Sequence, residues 1–165
     1  MKKMIPILLI LLLLSACGTQ PTMETINDSL VGETPAVAKT LQVSLPENAA
    51  KPVMETDGGA RLYDCGNYTL TTQTLPGGDL NGTLQSLTGF PTSDLAHMKT
   101  QQQGMDRYDC VWTTMGETGT QVCRGVILDD GNYHYAVTVQ ADATQSGSLR
   151  EQWKQVLQSV TVKTD

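Results

Sequence analysis

The sequence predicts an α+β fold, an antiparallel β-sheet with helices laid against it. Three observations carry this reading. Residues 108–115, 120–128 and 133–139 are strand-like runs separated by turn residues, the pattern of consecutive antiparallel strands. Neither face of those strands is purely polar. Val126 and Leu128 share one face with Tyr133, Tyr135, Val137 and Val139, while Tyr108, Cys110, Trp112, Cys123, Gly125, Ile127 and Ala136 lie on the other. Both faces therefore need a cover. Two further segments, after Asp79 and after Ser148, carry apolar residues at helical spacing.

Taken in order, Leu41-Gln42-Val43-Ser44-Leu45 alternates apolar with polar and stops at Pro46, which marks a first strand. Asp57-Gly58-Gly59 is a turn between a short strand near Val53 and a long extended stretch over 60–75, which Gly66-Asn67 interrupts and Pro76-Gly77-Gly78 ends. Asp79 can cap a short helix whose Leu80, Leu84 and Leu87 share a face, with Gly89 stopping it and Pro91 beyond. Residues 95–103 read as strand because strands follow. Asp130-Gly131 suits a type I′ hairpin turn, in which both central residues take positive φ.

Ser148 and Glu151 have the spacing of a capping box, in which the hydroxyl and the carboxylate each satisfy one free N–H at a helix start. Leu149, Trp153, Val156 and Val160 then form one stripe, with Arg150, Glu151, Lys154, Gln155 and Gln158 outside it. Trp153 is the expected anchor of this helix on the sheet. A last short strand is expected over 160–162.

The first residues carry an address. Lys2 and Lys3 precede an apolar run over 4–14 that only Pro6 breaks. The run is about half the length of a spanning helix, so it reads as a signal peptide over 1–16. It ends in Leu14-Ser15-Ala16-Cys17, which resembles the lipobox of bacterial lipoproteins. The resemblance implies cleavage before Cys17 and acylation of its thiol and new amino terminus. Each buried methylene contributes ~0.8 kcal/mol, so several chains make a durable membrane anchor. Gly18 is not the aspartate that favours inner-membrane retention in two-membrane bacteria.

Without residues 1–16, 9 of the 11 basic residues remain against 17 acidic ones, and the formal charge moves from −6 to −8. An acidic chain with no basic patch is repelled by nucleic acid, which argues against that class of partner. Residues 17–40 read as anchor and disordered tether, because the stretch is rich in Gly, Thr, Pro, Glu, Asn and Ser. Such a tether spans roughly 25–30 Å. Residues 41–165 are of a size for one domain with its own core.

Three cysteines remain after Cys17, namely Cys65, Cys110 and Cys123, and an exported location permits a disulfide. A two-residue turn at Gly116-Glu117 pairs Met115 with Thr118 and places Cys110 opposite Cys123, with Cα atoms ~4.5 Å apart. That lies at the near end of the disulfide range. A four-residue loop over 116–119 instead puts Trp112 opposite Cys123. A bond using Cys65, or three reduced thiols, are the other arrangements. The Cys110–Cys123 bond is the expectation adopted, with at least one thiol unpaired in the monomer.

No constellation for catalysis, metal or nucleotide binding stands out, and no cofactor is expected. His134 lies between Tyr133 and Tyr135 with no carboxylate at a spacing to orient it, and His97 is the only other histidine. Asp129, Asp130 and Asn132 read as a turn, since the EF-hand pattern is absent. Asp64 and Asp109 recur in two Tyr-Asp-Cys triplets, with nothing to show that they approach each other.

From Leu41 onward the order of elements resembles the PsbP-like fold. The residues behind this are the Leu45-Pro46 strand end, Thr88-Gly89 after the first helix, Asp130-Gly131 leading into Tyr133-His134-Tyr135, and the closing helix over 153–160. The resemblance implies an α/β/α sandwich and a binding or assembly role, and it transfers no site residue. The expected function is a lipid-anchored extracytoplasmic module of the cell envelope, in contact with the membrane through its anchor and with an envelope protein. An extracytoplasmic enzyme needs a pocket with converging ionisable groups, one of them His134 or Asp109. A small-ligand carrier needs an apolar cavity.

Overall fold

The computed structural model describes residues 36–163, so Cys17, the expected signal peptide and most of the tether lie outside the described residues. The strands are β1 (Thr40–Gln42), β2 (Met54–Glu55), β3 (Arg61–Asp64), β4 (Thr69–Pro76), β5 (Ala96–Gln102), β6 (Met105–Gly116), β7 (Gly119–Asp129), β8 (Tyr133–Asp142) and β9 (Thr161–Lys163). The helices are α1 (Leu80–Thr88), α2 (Ala143–Ser146) and α3 (Arg150–Gln158). Seven strands make one sheet in the order β2-β3-β4-β8-β7-β6-β5, and β1 pairs with β9 in a separate ribbon. Every pairing is antiparallel.

The sheet is covered on both faces, as the mixed polarity of its strands requires. Leu84 of α1 packs in one cluster with Tyr108, Cys110, Ile127 and Ala136. On the opposite face Trp153, Val156 and Leu157 of α3 pack with Leu70, Val126, Leu128, Tyr135, Val137 and Val139. The predicted stripe of Leu149, Trp153, Val156 and Val160 is buried throughout. Trp153 is fully buried, with Tyr68 edge-on to it at 6.1 Å between ring centroids.

Helix α1 forms as its sequence predicts. The Asp79 carboxylate accepts from the N–H groups of Asn81 and Gly82 at 3.0 and 3.2 Å, relieving two of the free donors at the helix start. Gly89, at φ +82°, turns the chain into the left-handed region and sends its N–H to Gln85 O. Gly77 is required for a different reason. Its N–H meets Asn132 O at 2.6 Å, and a Cβ there would fall 2.5 Å from the carbonyl carbon.

Helix α3 begins otherwise than predicted. The Ser148–Glu151 capping box does not form, because α2 precedes it and the Ser148 hydroxyl donates to Gln145 O at 2.8 Å. Asp142 caps α2 instead, accepting from Thr144 N–H. Residues 36–40 lie on the fold. Tyr133 Oη donates to Ala36 O, and the Lys39 ammonium stands 3.0 Å from Asp130.

Both central hairpins turn later than the sequence suggested. Gly116 pairs with Gly119 around Glu117-Thr118, with Gly119 at φ +133°. This slides β7 by two residues along β6, so Cys110 faces Gly125 and Trp112 faces Cys123. The expected Cys110–Cys123 disulfide is therefore corrected: Cys65, Cys110 and Cys123 are buried free thiols. In the next hairpin only Gly131 takes positive φ, so the type I′ expectation fails at Asp130. The Asp130 carboxylate instead accepts from Asn132 and Tyr133 N–H at 3.0 and 2.8 Å, an Asx-type arrangement. Asp129 then faces His134 across the strands.

Candidate functional site: an open groove beside α3

The alternation of β6 sends Arg107, Asp109 and Val111 to the α3 side, because Tyr108 and Cys110 point to α1. β7 adds Arg124 to the same side, between Val122 and Val126. Together with Met98 and Thr100 of the edge strand β5, and Lys154 and Leu157 of α3, these residues line an open groove of about 410 Å³. Three of its side chains are cations in a chain whose formal charge is −6.

Arg107 and Asp109 are a matched pair. Arg107 Nε and Nη2 each donate to one oxygen of Asp109 at 2.8 Å, the bidentate fork that guanidinium and carboxylate share. The same guanidinium donates to Gln102 Oε1 at 2.6 Å and to Leu157 O at 3.1 Å. A cation at the last carbonyls of α3 also favours the helix dipole. Arg107 therefore ties the end of α3 to the sheet, and Asp109 orients it.

Arg124 has no such partner. Its Nε is buried and meets no acceptor among the described residues, and its guanidinium carbon sits 6.0 Å from the centre of the Trp153 ring. That spacing permits a cation–π attraction without satisfying the donor. The Trp153 Nε1 also lacks an acceptor among the described residues. Lys154, on the exposed side of α3, stands 3.9 Å from Glu151, a loose exposed pair that contributes little.

Two other regions are distinct from this groove. A second open groove of about 580 Å³ runs between the β1 segment and β3–β4, lined by Lys39, Leu41, Arg61, Tyr63 and Thr72 among others. On the α1 side, His134 is 1% exposed, and Thr83 Oγ1 and His134 Nδ1 share a hydrogen bond of 2.8 Å. His134 Nε2 lies 3.6 Å from Asp129 Oδ1, so a carboxylate does stand beside this histidine, contrary to the sequence reading. The Asp129 oxygen already accepts from Gly131 N–H.

The remaining sequence candidates are not brought together. Asp64 accepts from Gly66 N–H in its own turn, while Asp109 pairs with Arg107. Burial pushes the Cys65 thiol up, and it pushes Cys110 and Cys123 up to about 11. Thiols held protonated in this way are poor nucleophiles at neutral pH. Burial also raises Asp130, but Lys39 and the N–H groups of Tyr133 and Asn132 outweigh it and hold the carboxyl below its usual value. Among the described residues no group of three His, Cys, Asp or Glu is placed to hold a metal ion, and no helix is long and apolar enough to cross a membrane.

Sequence reasoning did not single out Arg107, Arg124 or Lys154. One signal was present: opposite charges two residues apart on a strand, Arg107 and Asp109, must share a face. Another was Arg124 breaking an apolar face of β7.

No family model and no curated protein sequence matches the chain. Solved structures do match in fold. A protein of Bacteroides thetaiotaomicron VPI-5482 aligns over 76% of this chain with a TM-score of 0.52 and 12% identity; the chain spans 46% of that protein. The LpqN protein of Mycobacterium tuberculosis, described as involved in cell envelope biogenesis, aligns over 77% of this chain and 85% of its own at a TM-score of 0.48 and 10% identity, a likeness too loose to argue from. Cyanobacterial PsbP of Synechocystis sp. PCC 6803 aligns over 78% of this chain and 95% of its own, with a TM-score of 0.51 and 9% identity. The fold is therefore α+β and PsbP-like, an antiparallel sheet with helices on both faces.

Proposed function

We propose that this chain is a lipoprotein, exported by residues 1–16, held at the extracytoplasmic side of a membrane through Cys17, and acting there as a binding or assembly module of the cell envelope. The Leu14-Ser15-Ala16-Cys17 motif supports the anchor. The observation that carries the binding role is the groove beside α3. It gathers ionisable side chains in an open trough, where Arg107 and Asp109 neutralise each other, Lys154 is held only by a loose pair with Glu151, and Arg124 makes no ion pair among the described residues. Such a surface supplies charge and shape, and no nucleophile with an adjacent base.

The enzyme reading has one observation in its favour, the Thr83–His134–Asp129 arrangement. At 1% exposure the His134 ring meets no solvent, which suits a buried strut. The carrier reading fares worse: the apolar pocket under α1 measures about 10 Å³, roughly the space of one water.

The test has two parts. Mass spectrometry of the native protein should find an acylated amino-terminal cysteine at Cys17. Capture of the anchored protein from its own envelope should recover one partner at near-equal amounts. A chain that starts at Met1 without fatty acid and fractionates with the cytosol would end this reading. So would turnover of an envelope substrate that disappears on His134→Gln.

A further inference from the structure

The groove beside α3 holds a cation, Arg124, whose Nε meets no acceptor among the described residues. We propose that it is an oxoanion site, taking a single phosphate or carboxylate group of a small ligand, with Arg124 as the gripping fork and Lys154 as the second cation. This rests on the binding-module reading and deepens it.

Arg124 stands in the groove with its Nε buried and without an acceptor among the described residues. A guanidinium without an acceptor among the described residues keeps donors for an acceptor from outside, and because Nε itself is covered, that acceptor would meet the terminal nitrogens of the half-buried side chain. Guanidinium presents its donors in a planar fork that fits carboxylate and phosphate oxygens. The Trp153 ring lies 6.0 Å from the guanidinium carbon, and Arg124 is among the residues that line the groove.

The local charge supports the same reading. Asp109 spends both oxygens on Arg107, and Lys154 has only the loose Glu151 contact at 3.9 Å. Two cations are left over, Arg124 and Lys154. The groove, at about 410 Å³, is in the size range of small-ligand sites.

The rest of the chain limits the size of the ligand. Its net charge of −6 repels a polyanion over the whole approach. A single oxoanion carries less charge, so the repulsion it has to overcome before it meets the two cations is smaller. The site therefore selects a small ligand with one anionic group.

Titration calorimetry of the full chain at low ionic strength tests this, with inorganic phosphate as the first probe and glycerol 3-phosphate as the second. Saturable binding with one site per chain is expected. Arg124→Gln should weaken it about tenfold or more, since hydrogen bonds to a charged group are lost. Lys154→Gln, at an exposed position that cannot unfold the domain, should weaken it several-fold. Arg150→Gln on the same helix should leave it unchanged.

Equal affinity for the two probes supports a free oxoanion as ligand, and tighter glycerol 3-phosphate supports a lipid headgroup. Absence of phosphate binding, or binding unaltered by both Arg124→Gln and Lys154→Gln, overturns the site. Phosphate binding by a chain that carries no fatty acid keeps the site and removes the anchor, so the two failures are distinguishable.

Discussion

Under α1 the sheet presents Tyr108, Cys110, Ile127 and Ala136 and closes around Leu84, leaving a void of about 10 Å³. Under α3 it presents a larger apolar cluster, but Arg107, Asp109 and Arg124 run along its margin into an open groove. Both layers are a helix laid on strands, and they differ in what the helix fails to cover. α1 is stopped by Gly89, whose N–H closes on Gln85 O. α3 ends where Arg107 donates to Leu157 O and Gln102 to Val160 O just beyond the helix, so polar side chains fill the seam. One face is sealed, and the other keeps chemistry within reach of solvent. A sheet with both faces covered can thus separate stability from recognition by the choice of a few odd-numbered residues on β6 and even-numbered ones on β7.

The largest test of this contrast is Trp153→Ala. A fully buried tryptophan at the centre of the α3 layer should cost about 3–5 kcal/mol on truncation. The measurement is the denaturant midpoint of the full chain, and a loss below about 1 kcal/mol would mean that α3 is not the main cover. Leu84→Ala, the matching cut under α1, should cost about 2–4 kcal/mol, since the tight cluster there cannot collapse into the gap. Asp79→Ala removes the cap of α1 and should cost about 1 kcal/mol, with Asp79→Asn largely restoring it.

The smallest effect concerns the thiols. Burial pushes Cys110 and Cys123 up to about 11 from an ordinary 9.0. The folded state thus holds these protons more tightly than the unfolded chain. Their contribution to stability is full below about pH 9 and is lost as pH rises through 11. Denaturation midpoints should fall over that window, and less steeply in Cys110→Ala. Both thiols should also resist alkylation at pH 8 until denaturant is added, and rapid labelling of Cys110 in the native chain would show that the α1 face is not sealed.

The faces were legible in the sequence and the pairings were not. A strand alternates with a period of two, so Tyr108, Cys110 and Trp112 had to share a face wherever the hairpin turned. The slide along β6 was two residues, which preserves that parity while changing every partner. The face assignment therefore survived, while the Cys110–Cys123 bond did not, and the Asp129–His134 approach went unseen for the same reason. Asp79 and Gly89 delimited α1 correctly because caps act within four residues. Ser148 failed as a cap because its hydroxyl had a nearer acceptor in Gln145, which only the extra turn of α2 supplies. The groove escaped notice because Arg124, Asp109 and Lys154 come from three elements whose approach depends on where α3 lies.

The sharpest test of the division between the two faces is a map of backbone amide shifts as inorganic phosphate is added to the full chain. The account predicts shifts gathered at Arg107, Asp109 and Arg124 and along α3 near Lys154, with α1 and its neighbours unmoved. Shifts centred on α1 and His134, or spread evenly over both faces, would contradict it.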